Sequence, residues 1–120
     1  MKKTEAFRVL ASADRQLVLH ELVERDDGVS VDELSRHVAA RRHKITPETV
    51  SSSAVERARV RLVHTHLPQL VATDTVDVDW DERRVSLTDD EATAELFEAA
   101  TELDSWPPDD LLAPPSRSRG

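Results

Sequence analysis

The spacing of apolar residues along Ser51–Leu70 predicts an amphipathic helix around which the rest of the chain is organised. On a helix of about 3.6 residues per turn, one stripe of this segment is suited to burial and consists of Val55, Ala58, Leu62, His66 and Leu70. The opposite side is expected to be a cationic, solvent-facing surface formed by Arg57, Arg61 and His64. One face of this helix is therefore expected to be buried and the other free to meet a ligand.

Capping residues and prolines set the limits of this central helix. Ser53 and Glu56 have the spacing of a capping box, so the helix is expected to begin near Ser53. Pro68 removes one backbone hydrogen bond and is expected to kink it. In the linker before it, residues 41–50, Pro47 suits the first position of one isolated helical turn.

Three shorter helices are predicted ahead of the central one. They cover Thr4–Ala11, Ala13–Arg25 and a segment from Ser30 to about residue 42. Ser12 is a suitable N-cap for the second, and Ser30 forms a capping box with Glu33 for the third. The positions expected to be buried in the second and third helices are Leu17, Val18, Leu22, Val23, Val31, Leu34, Val38 and Ala39.

A β-hairpin is predicted directly after the central helix, over Val76–Leu87. Val76, Val78 and Trp80 alternate with aspartates, which is the period-two pattern of a half-buried strand. The chain turns at residues 81–84 and returns. Upstream, Val29 is expected to form a short strand that pairs with this hairpin.

The last helix is predicted over Asp89–Leu103, opened by a capping box of Thr88 and Glu91. Its apolar seam consists of Ala92, Leu96, Ala99, Ala100 and Leu103, with Phe97 at the edge. This seam has two possible uses. It either pairs with the first helix of a second copy or packs within its own domain.

This order of elements predicts a mainly α fold with a small antiparallel β-hairpin (α+β), the arrangement of a winged helix-turn-helix. The domain is expected to span residues 1–104, with its C-terminal helix at 89–104. From Ser105 onward the composition changes to Pro, Asp, Ser and Arg, so residues 105–120 are expected to be a disordered tail.

Composition narrows the classes of protein without deciding the function. The chain has 120 residues and no cysteine, which excludes disulfides and thiolate metal sites. No stretch approaches the ~20 apolar residues of a membrane span, and no apolar region follows the basic start, so we expect a cytoplasmic protein without a signal peptide.

The charge balance is acidic, with a net charge of −8 and lysine only at Lys2, Lys3 and Lys44. High negative charge with scarce lysine is typical of a protein from a salt-loaded cytoplasm. In molar salt the Debye length falls to ~3 Å, so attraction to DNA would rest on close contacts. The net charge therefore does not decide for or against DNA binding.

The candidate DNA-contacting residues lie on the central helix and at the hairpin turn: Arg57, Arg61, His64, Ser52, Ser53, Arg83 and Arg84. Arginine on a helix in the major groove is suited to guanine, and arginine at a wing tip is suited to phosphate or a minor groove. The alternatives are an ordinary solvated helix face and an ordinary polar turn. The basic run 41–44 is either a phosphate clamp or, in the interpretation we favour, a solvated linker.

No metal, cofactor or catalytic group is predicted. His64 and His66 are two residues apart, so on a helix they point in different directions, and His66 is expected to be a core histidine. The acidic residues are expected on solvated faces, and the chain has only two glycines and therefore no glycine-rich phosphate loop. We expect no enzyme activity.

Several segments resemble known winged-helix families. His66–Leu70 followed by Thr73–Asp77 is similar to the segment that joins recognition helix and wing in ArsR-type regulators. Leu10–Arg15, Val29–Leu34 and His64–Leu70 resemble three motifs of a haloarchaeal family of small winged-helix domains. The likeness covers residues 7–88 and departs at residue 74, usually glycine, and at residue 78, often tyrosine. It implies a DNA-binding regulator.

We therefore expect a transcription regulator that binds double-stranded DNA as a homodimer, joined through the first helix and the helix at 89–103. The central helix would read the major groove, and the hairpin would contact the backbone. The alternative is a winged-helix module that binds another protein and not DNA. Its motive is the acidic strand with Asp77, Asp79 and Asp81.

Overall fold

A computed structural model describes residues 1–25, 27–103 and 106 of the chain. Within these residues the helices are α1 (Lys3–Leu10), α2 (Ala13–Glu24), α3 (Val31–His43), α4 (Ser52–Arg61), α5 (Leu67–Ala72) and α6 (Glu91–Ala100). A 3₁₀ turn at Pro47–Thr49 precedes α4, and a π-turn at Leu62–His66 joins α4 to α5. The strands are β1 (Val29–Ser30), β2 (Val76–Asp79) and β3 (Arg84–Leu87). The α+β, winged-helix-like fold predicted from the sequence is confirmed.

Side-chain caps begin most of the helices, although not all at the predicted residue. Ser12 Oγ accepts the Arg15 N–H at 3.2 Å, and Ser30 Oγ accepts the Glu33 N–H at 3.0 Å, as predicted. Helix α4 begins at Ser52, near the predicted residue 53, but its cap is Ser51, whose Oγ accepts the N–H of residue 54 at 3.2 Å. The predicted capping box at residue 53 is therefore wrong.

The predicted capping box of α6 is also wrong. Asp90 caps this helix, and its Oδ1 accepts the Ala92 N–H at 2.8 Å. The Thr88 hydroxyl instead donates to the carbonyl of Asp74 at 2.7 Å. This hydrogen bond closes the loop between α5 and the sheet. Asp74 itself has the left-handed conformation that the sequence favours at this turn, with φ of 62°.

Pro68 changes the helix before it. The Leu67 N–H donates to the carbonyl of Leu62, five residues back, in place of the usual four. Proline has no N–H, and its ring collides with the carbonyl four residues earlier, so the ladder changes register ahead of it. The hydrogen-bond ladder is therefore irregular ahead of Pro68, in the form of the π-turn between α4 and α5, and the kink stays a prediction.

The sheet has the antiparallel order β1-β3-β2. Val29 and Val78 both pair with Val85, so the central strand carries the predicted contact between Val29 and the hairpin. The inward side of the sheet is apolar as the alternation predicts. Trp80 departs from it, with 54% of its surface exposed, because β2 ends one residue earlier and Trp80 belongs to the turn.

One hydrophobic core joins the helices to the sheet. Its largest fully buried side chains include Leu19, Leu34, Leu62, Leu67, Leu70 and Leu96. All predicted core positions of α3 are buried. In α2 the prediction is wrong at Val23, which is exposed, and it omitted Leu19, which lies next to Val18 on the buried side. Among the described residues, no helix combines the length and apolar character that a membrane crossing needs.

The apolar seam of α6 packs against α1 of the same chain. Leu96 and Ala100 are fully buried there. The interpretation that the seam packs within its own domain therefore describes this structure, and a homodimer joined through these two helices stays a prediction.

Trp106 lies in the segment predicted to be a disordered tail, and it packs against the domain. Trp106 lies 5.9 Å from the His20 ring and 5.7 Å from the Phe97 ring, measured between ring centroids. The backbone N–H of Trp106 donates to the carbonyl of Leu103 at 3.2 Å. Trp106 therefore packs on the domain through its rings. The other tail positions, 105 and 107–120, lie outside the described residues, and their disorder stays a prediction.

Two adjacent residues at the start of α2, Asp14 and Arg15, contact three other segments: the end of α1, the π-turn and α3. The Arg15 guanidinium donates to the carbonyls of Val9 at 2.7 Å and Arg8 at 3.2 Å, and its Nη1 lies 3.3 Å from His66 Nδ1. A guanidinium only donates, so His66 accepts at Nδ1 and carries its proton on Nε2. His66 is buried, as predicted.

Asp14 completes this junction from the other side. Its Oδ2 accepts from Arg42 Nη2 at 3.1 Å and lies 3.5 Å from His66 Nε2. Burial acts to raise the pKa of Asp14, but hydrogen bonds from His66 and Arg42, together with the charge of Arg42, outweigh it and lower the pKa. Asp14 thus stays ionised and holds α2, α3 and the π-turn together.

Replacing Asp14 with asparagine is expected to lower the free energy of unfolding at neutral pH by about 1–3 kcal/mol, because charged hydrogen bonds are lost. A carboxylate with a lowered pKa stabilises the fold above its ordinary pKa of 3.8 and ceases to do so as the pH falls through the folded value. The gap between wild type and D14N should therefore close below about pH 4. Denaturant unfolding, monitored by circular dichroism, measures this difference in the free energy of unfolding.

Asp89→Asn is the matched control, because Asp89 is exposed and has no partner among the described residues. It should change stability little at any pH. A gap for D14N that is absent at neutral pH, or that widens in acid, would contradict this role for Asp14.

Candidate nucleic-acid interface

Helix α4 lies on α3 through a narrow side of small residues. Ala54, Ala58 and Leu62 are buried and follow one another at four-residue intervals. Two of the three are alanines, so the two helices can approach closely. The remaining surface of α4 is left for solvent or a ligand.

The solvent-facing ridge of α4 consists of Ser53, Glu56 and Val60, and Val60 has 49% of its surface exposed. Arg57 follows Glu56 and Arg59 precedes Val60, so at about 100° per residue they flank the ridge on opposite sides. The predicted cationic face is therefore confirmed at Arg57 and His64, which are exposed, and wrong at Arg61, which lies beside the buried stripe. The outer ridge is polar and apolar, with one arginine at each edge.

The other predicted contacts on this helix differ in availability. Arg61 is three residues beyond Ala58, which places it beside the buried stripe, and its Nε lies 3.8 Å from Asp14 Oδ2. Arg57 and His64 are exposed and have no ion-pair or hydrogen-bond partner within the described part of the chain. Ser52 and Ser53 are also exposed, at the first turn of α4.

The hairpin turn places Arg83 and Arg84 differently. Asp79 Oδ1 accepts the Glu82 N–H at 3.1 Å and so tightens the turn. Arg83 has a left-handed φ of 56° and an exposed side chain. The Arg84 guanidinium donates to the carbonyls of residue 27 at 3.2 Å and residue 28 at 2.9 Å, so Arg84 ties the hairpin to the loop before β1.

The turn of the hairpin, residues 80–83, is called the wing turn below, and it meets α4 at the start of α3. The Val31 N–H donates to the carbonyl of Arg83 at 2.9 Å, which fixes the turn there. Asp32 Oδ1 lies 3.6 Å from Arg59 Nη1 and 3.8 Å from Arg83 Nη2. A side chain of the helix and a side chain of the wing therefore reach one point on the surface.

The outer side of the hairpin is acidic. Asp77 and Asp79 are exposed on β2, and Asp81 and Trp80 follow in the exposed turn. They line a shallow groove together with Gly28 and Ser86. This side would repel a phosphate backbone, in contrast to the point where Arg59 and Arg83 meet.

The basic run after residue 40 is not the predicted linker but the end of a helix. Arg41, Arg42 and His43 are the last turn of α3, and Lys44 ends the helix in a left-handed conformation. Arg41 Nη1 donates to the carbonyl of Ala13 at 3.1 Å, and Arg42 binds the Asp14 carboxylate of α2. These two arginines therefore hold α3 to the start of α2.

The described residues contain no group of three or more His, Cys, Asp or Glu side chains placed to hold a metal ion. His64 is exposed and His66 is buried against Arg15, so the two side chains lie in different surroundings.

Residues that the sequence analysis did not select include Asp32, Glu56, Arg59 and Val60. A stripe centred on Ala54, Ala58 and Leu62 would have placed Glu56 and Val60 outward from the sequence alone. The meeting of Arg59 and Arg83 at Asp32 has no local sequence signal, because the three residues come from separate elements.

Comparison with known proteins gives one result. A family model described as a domain of unknown function (DUF7344) matches residues 7–86, which is more than half of the 120 residues. No curated protein and no solved structure matches the chain. The matched range covers the helices α2 to α5 and most of the hairpin, so the surface described above lies within it. The chain belongs to the DUF7344 family.

Proposed function

We propose that this domain binds double-stranded DNA, with the outer ridge of α4 in the major groove and the wing turn on the adjacent backbone. The observation that carries the proposal is the meeting of Arg59 and Arg83 at Asp32 Oδ1, at 3.6 and 3.8 Å. A helix and a hairpin turn that share one point of surface can engage one duplex together.

The ridge of α4 has side chains suited to base edges. A serine hydroxyl can donate or accept, a glutamate can accept from cytosine N4, and an aliphatic side chain can contact the thymine methyl. Ser53, Glu56 and Val60 offer these three chemistries on one exposed side. Arg57 at one edge and Arg59 at the other are placed for phosphates.

We also propose that the domain acts as a transcription regulator in homodimeric form. A two-fold dimer would match a palindromic site. The proposed dimer is joined through the first helix and the helix at 89–103, by residues of these helices that lie outside the buried seam. Sedimentation equilibrium tests this part, and a strictly monomeric protein that still binds DNA would remove the dimer while leaving the DNA-binding proposal in place.

One observation favours a second candidate, a module that binds a basic protein partner. The exposed Asp77, Asp79 and Trp80 form an acidic and aromatic side of the hairpin. A pull-down from cells separates the two candidates. Enrichment of discrete genomic sites supports DNA binding, and a protein recovered equally well after nuclease treatment supports the module.

Arg57→Ala is expected to weaken binding to duplexes of unrelated sequence to a similar extent and to reduce the salt slope of log K by about 1, as the loss of one phosphate contact does. Fluorescence anisotropy with labelled duplexes measures both quantities. The matched control is Arg8→Ala, which removes the same charge at an exposed position of α1. Equal effects of R57A and R8A would contradict a contact by Arg57.

Arg84→Ala is expected to lower thermal stability and to leave the DNA affinity of the folded protein within about twofold of wild type. The reason is that its guanidinium is bonded to two main-chain carbonyls, whose loss costs about 1–3 kcal/mol. Thermal melts and anisotropy on the same samples measure the two effects. A large loss of affinity with unchanged stability would place Arg84 in the interface after all.

A further inference from the structure

Two arginines from distant elements contact the same carboxylate oxygen. Arg59 belongs to α4 and Arg83 to the hairpin turn, and both reach Oδ1 of Asp32 at distances longer than a hydrogen bond, 3.6 and 3.8 Å. Asp32 is 68% exposed. The two cations are thus held toward one point at the surface by an anion that solvent or a ligand can replace.

We propose, on the basis of the DNA-binding function above, that the Asp32 carboxylate occupies in the free protein the position of a DNA backbone phosphate. Binding then exchanges the carboxylate for the phosphate. Both groups present anionic oxygens, and a guanidinium forms charge-assisted hydrogen bonds with either. Arg59 and Arg83 are the phosphate-binding pair of this site, and Asp32 is the group that competes for them.

The contact with Asp32 is not needed to hold the wing. The Val31 N–H already fixes the wing turn through the carbonyl of Arg83 at 2.9 Å. Exposed ion pairs add little to folding. Arg59 has in addition a carboxylate partner on its own helix, Glu56. Removing the Asp32 charge should therefore free the two arginines without loosening the elements that carry them.

The exchange has a consequence for salt dependence. In the free protein the charges of Asp32 and Glu56 balance those of Arg59 and Arg83. Cations that are already paired hold few condensed anions, so fewer ions are released when they bind phosphate. A protein with a net charge of −8 would thereby bind DNA by close contact, with a shallow dependence on salt.

Asp32→Asn tests the proposal, with Asp89→Asn as the control of equal charge change outside this surface. Binding of a duplex of random sequence is measured by anisotropy from about 0.1 M to about 1 M KCl, with circular dichroism to confirm folding. D32N should bind about three- to tenfold tighter than wild type at the lowest salt and show a salt slope steeper by about 1. D89N should remain within about twofold of wild type.

The double variant D32N/R59A identifies the group that is released. It should lose more than about half of the gain seen with D32N, because Arg59 is one of the two freed cations. A full gain in the double variant would overturn the proposal.

Other outcomes separate this proposal from the function on which it rests. Wild-type binding with D32N equal to D89N overturns the exchange at Asp32 and leaves DNA binding in place. No binding by folded wild type or D32N at any salt overturns both.

Discussion

The orientation of α4 depends on an ionic junction made by two consecutive residues, Asp14 and Arg15. Arg15 donates hydrogen bonds to carbonyls at the end of α1 and contacts His66. Asp14 binds Arg42 of α3 and lies against His66 from the other side. His66 ends the π-turn that Pro68 imposes. The helix that carries the proposed interface is therefore fixed at its C-terminal end, where its hydrogen-bond ladder is irregular.

The same chain uses several of its arginines inside its own structure. Arg15, Arg41, Arg42 and Arg84 hold elements together through carbonyls or carboxylates. Arg59 and Arg83 are paired at the surface, and Arg57 is exposed without a partner in the described part of the chain. A count of basic residues therefore overstates the charge available to DNA, and the placement of each one decides its role.

The sequence was sufficient for the elements whose signals are local. The caps at Ser12 and Ser30, the pairing of Val29, the left-handed Asp74 and the alternation of β2 all follow from residue type and spacing. Such signals depend on chemistry within a few positions of the chain. The fold class follows from them, because the order of the elements leaves few ways to cover one core.

The errors arose where partners are distant in sequence. Spacing predicted that Arg61 would face solvent, but Asp14 lies beside it. Arg84 was expected at the wing tip, but its guanidinium donates to two main-chain carbonyls before β1. The serines 51–53 are equivalent as caps by type, and only the packing of Ala54 and Ala58 on α3 selects Ser51. A pair of arginines meeting at Asp32 is likewise visible only in three dimensions.

The central claim is that the outer ridge of α4 and the wing turn form one surface that binds DNA. The most direct measurement is a map of amide chemical-shift changes in a ¹⁵N-labelled sample titrated with a DNA duplex. We expect the changes to concentrate at residues 51–60 and 80–83 and at the start of α3. Changes confined to the acidic strand 76–79 or to α1 and α6, or no changes at all, would contradict it.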